Sequence, residues 1–285
     1  MKVRPWLLFA MITTLFWGVW GAFIEIPEKA GFPATLGYSV WALTMVPCAF
    51  VALKIINWEL QFDKRSVFLG SMVGFLGAGG QLILFQALRW EPAYLVFPII
   101  SLYPVVTIIM GVWLLKEKAG RRSWLGILLA LTAIVLLSYQ PPESSERGSI
   151  WLFLAFFVFL SWGIQAYVMK FSQQSMKAES VFFYMMATGV VLIPIALLMT
   201  DFSQEINWGF KGPYLAAMIQ VLNAVGALMF VYAVRYGKTI IVVPITALAP
   251  VITIVLSLII YSVVPHPITL SGMLSAVVAI YLMAE

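Results

Sequence analysis

The chain has 285 residues, of which 62% are hydrophobic and only 10% are charged, and its net charge is +5 at pH 7. With a mean hydropathy of +0.99, a soluble domain could not bury this much apolar surface in its own core, so the composition predicts an integral membrane protein. The cations are dispersed over short loops rather than gathered on one face, which disfavours nucleic acid as a partner.

Apolar stretches follow one another along the whole chain, and most reach the roughly 20 residues that a helix needs to cross a bilayer. We therefore predict an all-α integral membrane protein. Its ten transmembrane helices are expected near residues 5–25, 34–54, 66–88, 93–115, 123–140, 149–170, 179–200, 212–234, 239–261 and 267–284. Residues 23–27 offer no small-residue cleavage site, so the first stretch is expected to remain as a helix.

Parts of the chain repeat one another at a nearly constant spacing of 145 or 146 residues. The matched segments are Trp17-Gly18 with Trp162-Gly163, Ala87–Ile108 with Ala233–Ile254, and Gly126 with Gly272. We interpret the chain as a duplication, which is a recurrent design among transporters.

The two halves are predicted to lie upside down relative to each other, because five spans per half is an odd number. We divide the chain into a first five-helix repeat, residues 1–141, an outer hinge loop, residues 142–148, and a second five-helix repeat, residues 149–285. With the N-terminus inside, thirteen lysines and arginines lie on the inner side and four on the outer side. This bias predicts a plasma (inner) membrane protein with both termini cytoplasmic.

These features resemble the EamA-type family of the drug/metabolite transporter superfamily: two inverted five-helix halves, a Trp-Gly pair late in the first helix of each, and a Pro-x5-Pro pair in each fourth helix. The resemblance covers the whole chain and implies transport of metabolites ranging from amino acids and sugars to nucleotide derivatives and drugs. In that family a run such as Leu114–Lys118, followed by Gly126, closes each repeat. The second half has Tyr261–Val263 there instead, so we expect Glu117 to be an ordinary loop charge.

Polar and aromatic side chains inside the spans form the predicted substrate site, because polar groups within a membrane are costly unless they face a cavity or another helix. The resemblance implies that the first, third, fourth, sixth, eighth and ninth helices line a central cavity. The predicted substrate-binding residues are Trp17, Trp20, Gln81, Tyr103, Trp162, Gln165, Gln220 and Asn223. The alternative interpretation is that each amide only bonds to an adjacent helix.

Prolines at equivalent positions of the fourth and ninth helices predict bends, because an internal proline frees a carbonyl one turn earlier. The predicted helix-bend residues are Pro98, Pro104, Pro244 and Pro250. The alternative is that nearby hydroxyls bond such carbonyls instead, and those close enough in sequence belong to Ser101, Thr107, Thr246 and Thr253. In the third helix, Gly74, Gly77 and Gly80 are three residues apart and predict the close approach of another helix.

Charged residues near the span ends are the predicted gates. They are Glu25, Arg89, Lys170 and Arg235. We expect Glu25 to pair with Arg89 at the outer face, and Lys170 or Arg235 to pair with Glu179 at the inner face.

The spans contain no carboxylate near their centres, which disfavours proton coupling and a buried cation site. We therefore expect a secondary transporter that moves a small polar metabolite by alternating access, the metabolite being neutral or zwitterionic and of the sugar, nucleoside or amino acid class. A proton-coupled exporter of drugs or amino acids and a non-transporting membrane scaffold or receptor remain as alternatives.

A single histidine, His266, and a single cysteine, Cys48, cannot form a catalytic triad or a clustered metal site. The sequence also lacks a Gly-x4-Gly-Lys-Ser/Thr run for nucleotide phosphates. We expect no enzymatic activity, no cofactor and no metal. The expected partners are a small-molecule substrate and the lipid bilayer, and the sequence leaves the oligomeric state open.

Overall fold

The computed structural model describes residues 4–90, 96, 100–137, 150–261 and 266–283, and every regular element within these ranges is a helix. The first repeat contains α1 (Pro5–Phe23), α2 (Glu25–Lys29), α3 (Ala34–Ile55), α4 (Lys64–Trp90), α5 (Pro104–Trp113) and α6 (Arg121–Leu137). The second contains α7 (Ile150–Ser172), α8 (Ala178–Val191), α9 (Ile193–Leu198), a π-helical turn (Phe210–Tyr214), α10 (Leu215–Tyr236), α11 (Thr239–Thr246), α12 (Ala249–Tyr261) and α13 (Pro267–Met283). The predicted outer hinge lies outside the described residues.

Six of the described helical segments are long and apolar enough to cross a membrane. They are Pro5–Lys29, Ala34–Ile55, Lys64–Ala87, Ile150–Ser172, Ala178–Leu198 and Phe210–Tyr236. These six coincide with the predicted first, second, third, sixth, seventh and eighth spans. The helices described at the other four predicted positions are shorter, with 8 to 17 residues each.

Helix packing follows the sequence repeat. In the first repeat α1 packs on α10 and α12 of the second, and the equivalent helix α7 packs on α4 and α5 of the first. The contact of α3 with α10 has its counterpart in the contact of α8 with α4, and the closing helices α6 and α13 pack on each other. Each half therefore completes its packing with helices of the other half.

Glycines allow the closest of these contacts. In α4, a Cβ atom at Gly74 would overlap Thr188, one at Gly77 would overlap the Gln165 amide, and one at Gly80 would lie 2.6 Å from Trp162 Nε1. The close helix approach predicted from the spacing of these glycines is confirmed. The side chains that enter the space come from α7 and α8.

The ninth span differs from its prediction as a single bent helix. Helix α11 ends at Thr246 and α12 begins at Ala249, so the helix is broken two residues after Pro244. Pro250 is the second residue of α12 and Pro104 is the first residue of α5. At a helix start the missing N–H of proline has no intrahelical acceptor to lose. Both prolines therefore begin helices rather than bend them, and Pro98 lies outside the described residues.

The glycines of the repeated Trp-Gly pairs give a test of this packing. A Cβ atom at Gly18 would lie 2.5 Å from Ile252 Cβ and 2.8 Å from the Ala249 carbonyl oxygen. We expect Gly18→Ala to destabilise the protein by about 1–3 kcal/mol, the usual cost of overpacking, measured as a lower melting temperature in detergent.

Gly79→Ala is the matched control, because a Cβ atom there would meet nothing within 4 Å. Alanine is favoured over glycine by about 1 kcal/mol in a helix, so this variant should melt at or above the wild-type temperature. Equal destabilisation of the two variants would contradict the packing described for Gly18.

Candidate functional site: the interface between the repeats

The Trp-Gly pair of α1 makes polar contacts with two helices of the second repeat. The Trp17 indole N–H donates to the Asn223 carbonyl of α10 at 3.4 Å, and the Gly18 carbonyl accepts from the Thr253 hydroxyl of α12 at 2.8 Å. The Trp17 ring also packs on Phe230, with ring centroids 5.3 Å apart. The absence of a side chain at Gly18 permits this approach, since α12 backbone and Ile252 occupy the space.

The Trp-Gly pair of α7 repeats this arrangement with helices of the first repeat. The Trp162 indole N–H donates to the Gly77 carbonyl of α4 at 3.3 Å, and the Gly163 carbonyl accepts from the Thr107 hydroxyl of α5 at 2.9 Å. Each of these four residues is separated from its counterpart in the first arrangement by 145 or 146 residues. We call these two sets the exchanged contacts: Trp17, Gly18, Asn223 and Thr253, with Trp162, Gly163, Gly77 and Thr107.

The sequence-based expectation for the two threonines is therefore wrong. Thr107 and Thr253 do not bond carbonyls freed by prolines in their own helices, because their hydroxyls donate to the facing helix. The repeat itself contained the signal, since both threonines stand at equivalent positions in it.

The predicted substrate residues lie on both sides of the exchanged contacts. Trp20 is one turn beyond Trp17 on α1, and its indole N–H donates to Gln220 Oε1 at 3.0 Å. Gln220 is buried, with 2% of its surface exposed. Tyr103 packs edge-on against Trp162, with ring centroids 6.1 Å apart.

Three predicted amides stand apart from this bonding. Within the described part of the chain, the side chains of Gln81, Gln165 and Asn223 have no hydrogen-bond partner, although all three are half-buried in apolar helices. The Gln165 amide of α7 lies against Gly77 of α4. Gln81 is four residues beyond Gly77 on α4, so the Gln81 side chain and the Gln165 amide lie on the same side of that helix. Amides without partners at this depth are costly unless something polar reaches them.

The predicted inner gate residues Lys170 and Arg235 bind main-chain carbonyls. The Lys170 ammonium group donates to the carbonyls of Val234, Arg235 and Gly237 at 2.8, 3.2 and 2.7 Å, where α10 ends. The Arg235 guanidinium donates to the carbonyls of Gln173 and Met176. Among the described residues neither cation pairs with Glu179, as had been expected.

The expected partner Glu179 has another contact. Its carboxylate accepts from the Tyr232 hydroxyl at 2.8 Å. Lys170 bonds the last carbonyls of α10, which lack intrahelical partners and carry the negative end of the helix dipole. Arg235 bonds the carbonyls of Gln173 and Met176, which lie just after the end of α7. The side chains of Glu25 and Arg89 lie outside what the structure describes, so their outer pairing stays a prediction.

Glu117 contradicts the expectation of an ordinary loop charge. Its carboxylate accepts from the Thr239 N–H at 3.0 Å, the Thr239 hydroxyl at 2.8 Å and the Ile240 N–H at 3.1 Å. It therefore caps the start of α11, where unpaired N–H groups favour an anion. Lys170 and Glu117, which we call the inner cap pair, bind the two sides of the single turn that joins α10 to α11.

The fold, its internal repeat and the polar residues at the repeat interface define a membrane transporter of the drug/metabolite type. Residues 4–139 and 149–284 each match the EamA-like transporter family. The chain therefore belongs to the EamA-like transporter family, as two repeats that together cover almost its whole length.

Individual proteins are similar to this chain over much of its length. The chain is 26% identical to Protein LicB of Haemophilus influenzae over 206 residues, which cover 70% of each chain. It is 26% identical over 132 residues to an uncharacterized protein of Methanocaldococcus jannaschii, covering 46% of this chain and 95% of that one. A crystal structure with 15% identity has the same fold, with a TM-score of 0.79 over 99% of this chain and 98% of the other.

The hydrogen bond between Trp20 and Gln220 can be measured by a double-mutant cycle of unfolding free energies. We expect Trp20→Phe and Gln220→Leu to couple by about 0.6 kcal/mol, and by no more than about 1.7 kcal/mol, as side-chain hydrogen bonds within membranes do.

The control cycle combines Trp20→Phe with Gln61→Leu, since Gln61 bonds Lys177 and Ser180 in a different part of the protein. Distant sites should be additive within about 0.5 kcal/mol. If the effects of Trp20→Phe and Gln220→Leu on the free energy of unfolding are additive, the hydrogen bond between the two side chains is disproved.

Proposed function

We propose that the protein is a secondary transporter with ten spans in two inverted repeats, which moves a small neutral or zwitterionic metabolite across the plasma membrane by alternating access. The observation that carries the proposal is a set of three half-buried amides beside the exchanged contacts, Gln81, Gln165 and Asn223, whose side chains bond no other residue that the structure describes. Amide groups can donate and accept at once, so they suit hydroxyl, amide and amino acid groups of a substrate.

Alternating access is supported by how the repeats join. Because α1 and α7 each pack on helices of the other repeat, a relative rotation of the halves alters the helix contacts on both sides together. In inverted-repeat carriers the substrate lies near the bilayer centre at the repeat interface, while the ends of the helices open in turn. The residues of the exchanged contacts would lie at the pivot of this motion.

The inner cap pair supports a preference for one state. It joins the turn after α10 to α7 through Lys170 and to the loop after α5 through Glu117, so both repeats contribute. The equivalent outer positions hold Glu25 and Val263. A carboxylate cannot donate to carbonyls, and valine cannot accept from N–H groups. Glu25 and Val263 therefore cannot form the same two contacts at the outer face, and this chemical difference supports a state in which the inner cap pair holds the inner face closed.

Transport is tested with purified protein in proteoliposomes loaded with sugars, nucleosides or amino acids, with and without a pH gradient. We expect uptake of at least one class without a pH gradient, and at least tenfold slower uptake in Gln81→Ala, Gln165→Ala and Asn223→Ala. Ten-fold corresponds to about 1.4 kcal/mol, the order of one lost hydrogen bond.

Gln174→Ala is the control, because this glutamine is exposed in the loop after α7. Uptake that appears only with a pH gradient would favour the proton-coupled alternative. The proposal fails if no class crosses the bilayer, or if the three amide variants transport at the wild-type rate.

The closed inner face is tested by labelling a reporter cysteine at Asn223 in a Cys48→Ala background with an impermeant thiol reagent. We expect Lys170→Met or Glu117→Gln to raise the labelling rate from the inner side about tenfold, since a hydrogen bond to a charged group is worth about 1.5–3 kcal/mol.

The matched control is Lys177→Met. This substitution removes an exposed ion pair with Glu59, 2.5 Å long, from another loop, and such pairs contribute about 0–1 kcal/mol. Equal labelling in wild type and both cap variants would show that the cap pair does not close the path.

A further inference from the structure

A groove of about 530 Å³ runs along the outside of the helix bundle between α4 and α7. It extends along α4 from Val67 to Ile83 and is bounded on α7 by Phe157 and Ser161. Among the described residues that line it, Ser71 and Ser161 are the only ones with a hydroxyl group, and the others are apolar or glycine. The walls are open to the bilayer, because Phe75 and Phe157 are 47% and 49% exposed.

Glycine creates the depth of this groove. A Cβ atom at Gly79 would meet nothing within 4 Å, whereas one at the next residue, Gly80, would lie 2.6 Å from Trp162. The same turn of α4 is thus tightly packed on one side and open on the other. The opening is a consequence of a missing side chain at one position rather than of loose packing between the two helices.

The dimensions fit a lipid chain. Sixteen residue steps of α-helix separate Val67 from Ile83, which is about 24 Å. Half of a typical hydrocarbon core is about 15 Å, so an acyl chain from one leaflet fits within the length of the groove. A membrane contains no water at this depth, and an apolar groove open to it is filled by hydrocarbon.

Two cations stand at one end of the groove. Lys64 and Arg65 form the first turn of α4, and the Arg65 guanidinium lies 5.6 Å from the ring centroid of Phe171 at the end of α7. Arg65 therefore spans the two helices that form the groove. The neighbouring Asp63 carboxylate is bound by the N–H and hydroxyl of Ser66, which holds the pKa of Asp63 below its usual range.

We propose that the groove between α4 and α7 binds an anionic phospholipid of the inner leaflet, with one acyl chain running from Val67 toward Gly79 and the phosphate at Lys64 and Arg65. The leaflet rests on the orientation given with the proposed function, in which α4 begins at the inner face. Cations at this level attract anionic headgroups, and an arginine held over an aromatic ring can bond a phosphate through its free N–H groups.

The test is native mass spectrometry of delipidated protein titrated with phosphatidylglycerol or with phosphatidylcholine of the same chains. We expect one phosphatidylglycerol to bind at least tenfold more tightly than phosphatidylcholine. Lys64→Gln with Arg65→Gln should remove this preference and leave weak binding of both lipids. Gly79→Phe places a ring in the groove at a position where a Cβ atom meets nothing within 4 Å, and should remove the tight site.

Two control variants make the same kinds of substitution at sites away from the groove. Leu274→Phe adds an aromatic ring to the exposed face of α13, and Lys54→Gln removes a cation from the end of α3; both should bind as the wild type does. Equal affinity for the two lipids in wild type, or unchanged binding in Gly79→Phe, overturns the proposal. These readouts do not involve transport, so they stand or fall independently of the proposed substrate.

Discussion

The exchanged contacts are the interaction on which the rest of the structure depends. Each first helix places an indole N–H on a carbonyl of the opposite repeat and receives a threonine hydroxyl at its own glycine carbonyl. Within hydrocarbon such groups have no water to bond, and glycine allows the close approach that they require. Neither repeat can satisfy these groups alone, so the two halves form one unit.

This constraint also determines where the polar side chains lie. Trp20 is one turn beyond the first contact and is paired with Gln220, whereas Gln165 is one turn beyond the second and rests on Gly77. The repeat is therefore symmetric in its backbone contacts and asymmetric in its side chains. A symmetric frame suits the proposed alternation between two related states, and under the same proposal the asymmetric side chains distinguish one substrate and one preferred state.

Charged residues act mainly on helix ends. Lys170 caps carbonyls at the end of α10, and Glu117 caps N–H groups at the start of α11. From the sequence, Lys170 was expected to form an ion pair and Glu117 to be an ordinary loop charge. Neither role was predicted, because a helix end offers several partners at once and its position is known only from the fold. The prediction that Pro104 and Pro250 bend helices was wrong for a related reason. Both were assigned to helix interiors, but both lie where helices begin.

The sequence by itself determined the membrane class, the duplication and the family resemblance, because composition and a constant spacing are properties of the chain alone. It also identified the Trp-Gly pairs and the α4 glycines, whose chemistry limits them to close packing. Only the tertiary structure decided which helix meets which, that Thr107 and Thr253 bond the opposite repeat, and that three amides lack partners among the described residues. Those facts depend on distances between residues that are far apart in the chain, and no local pattern encodes them.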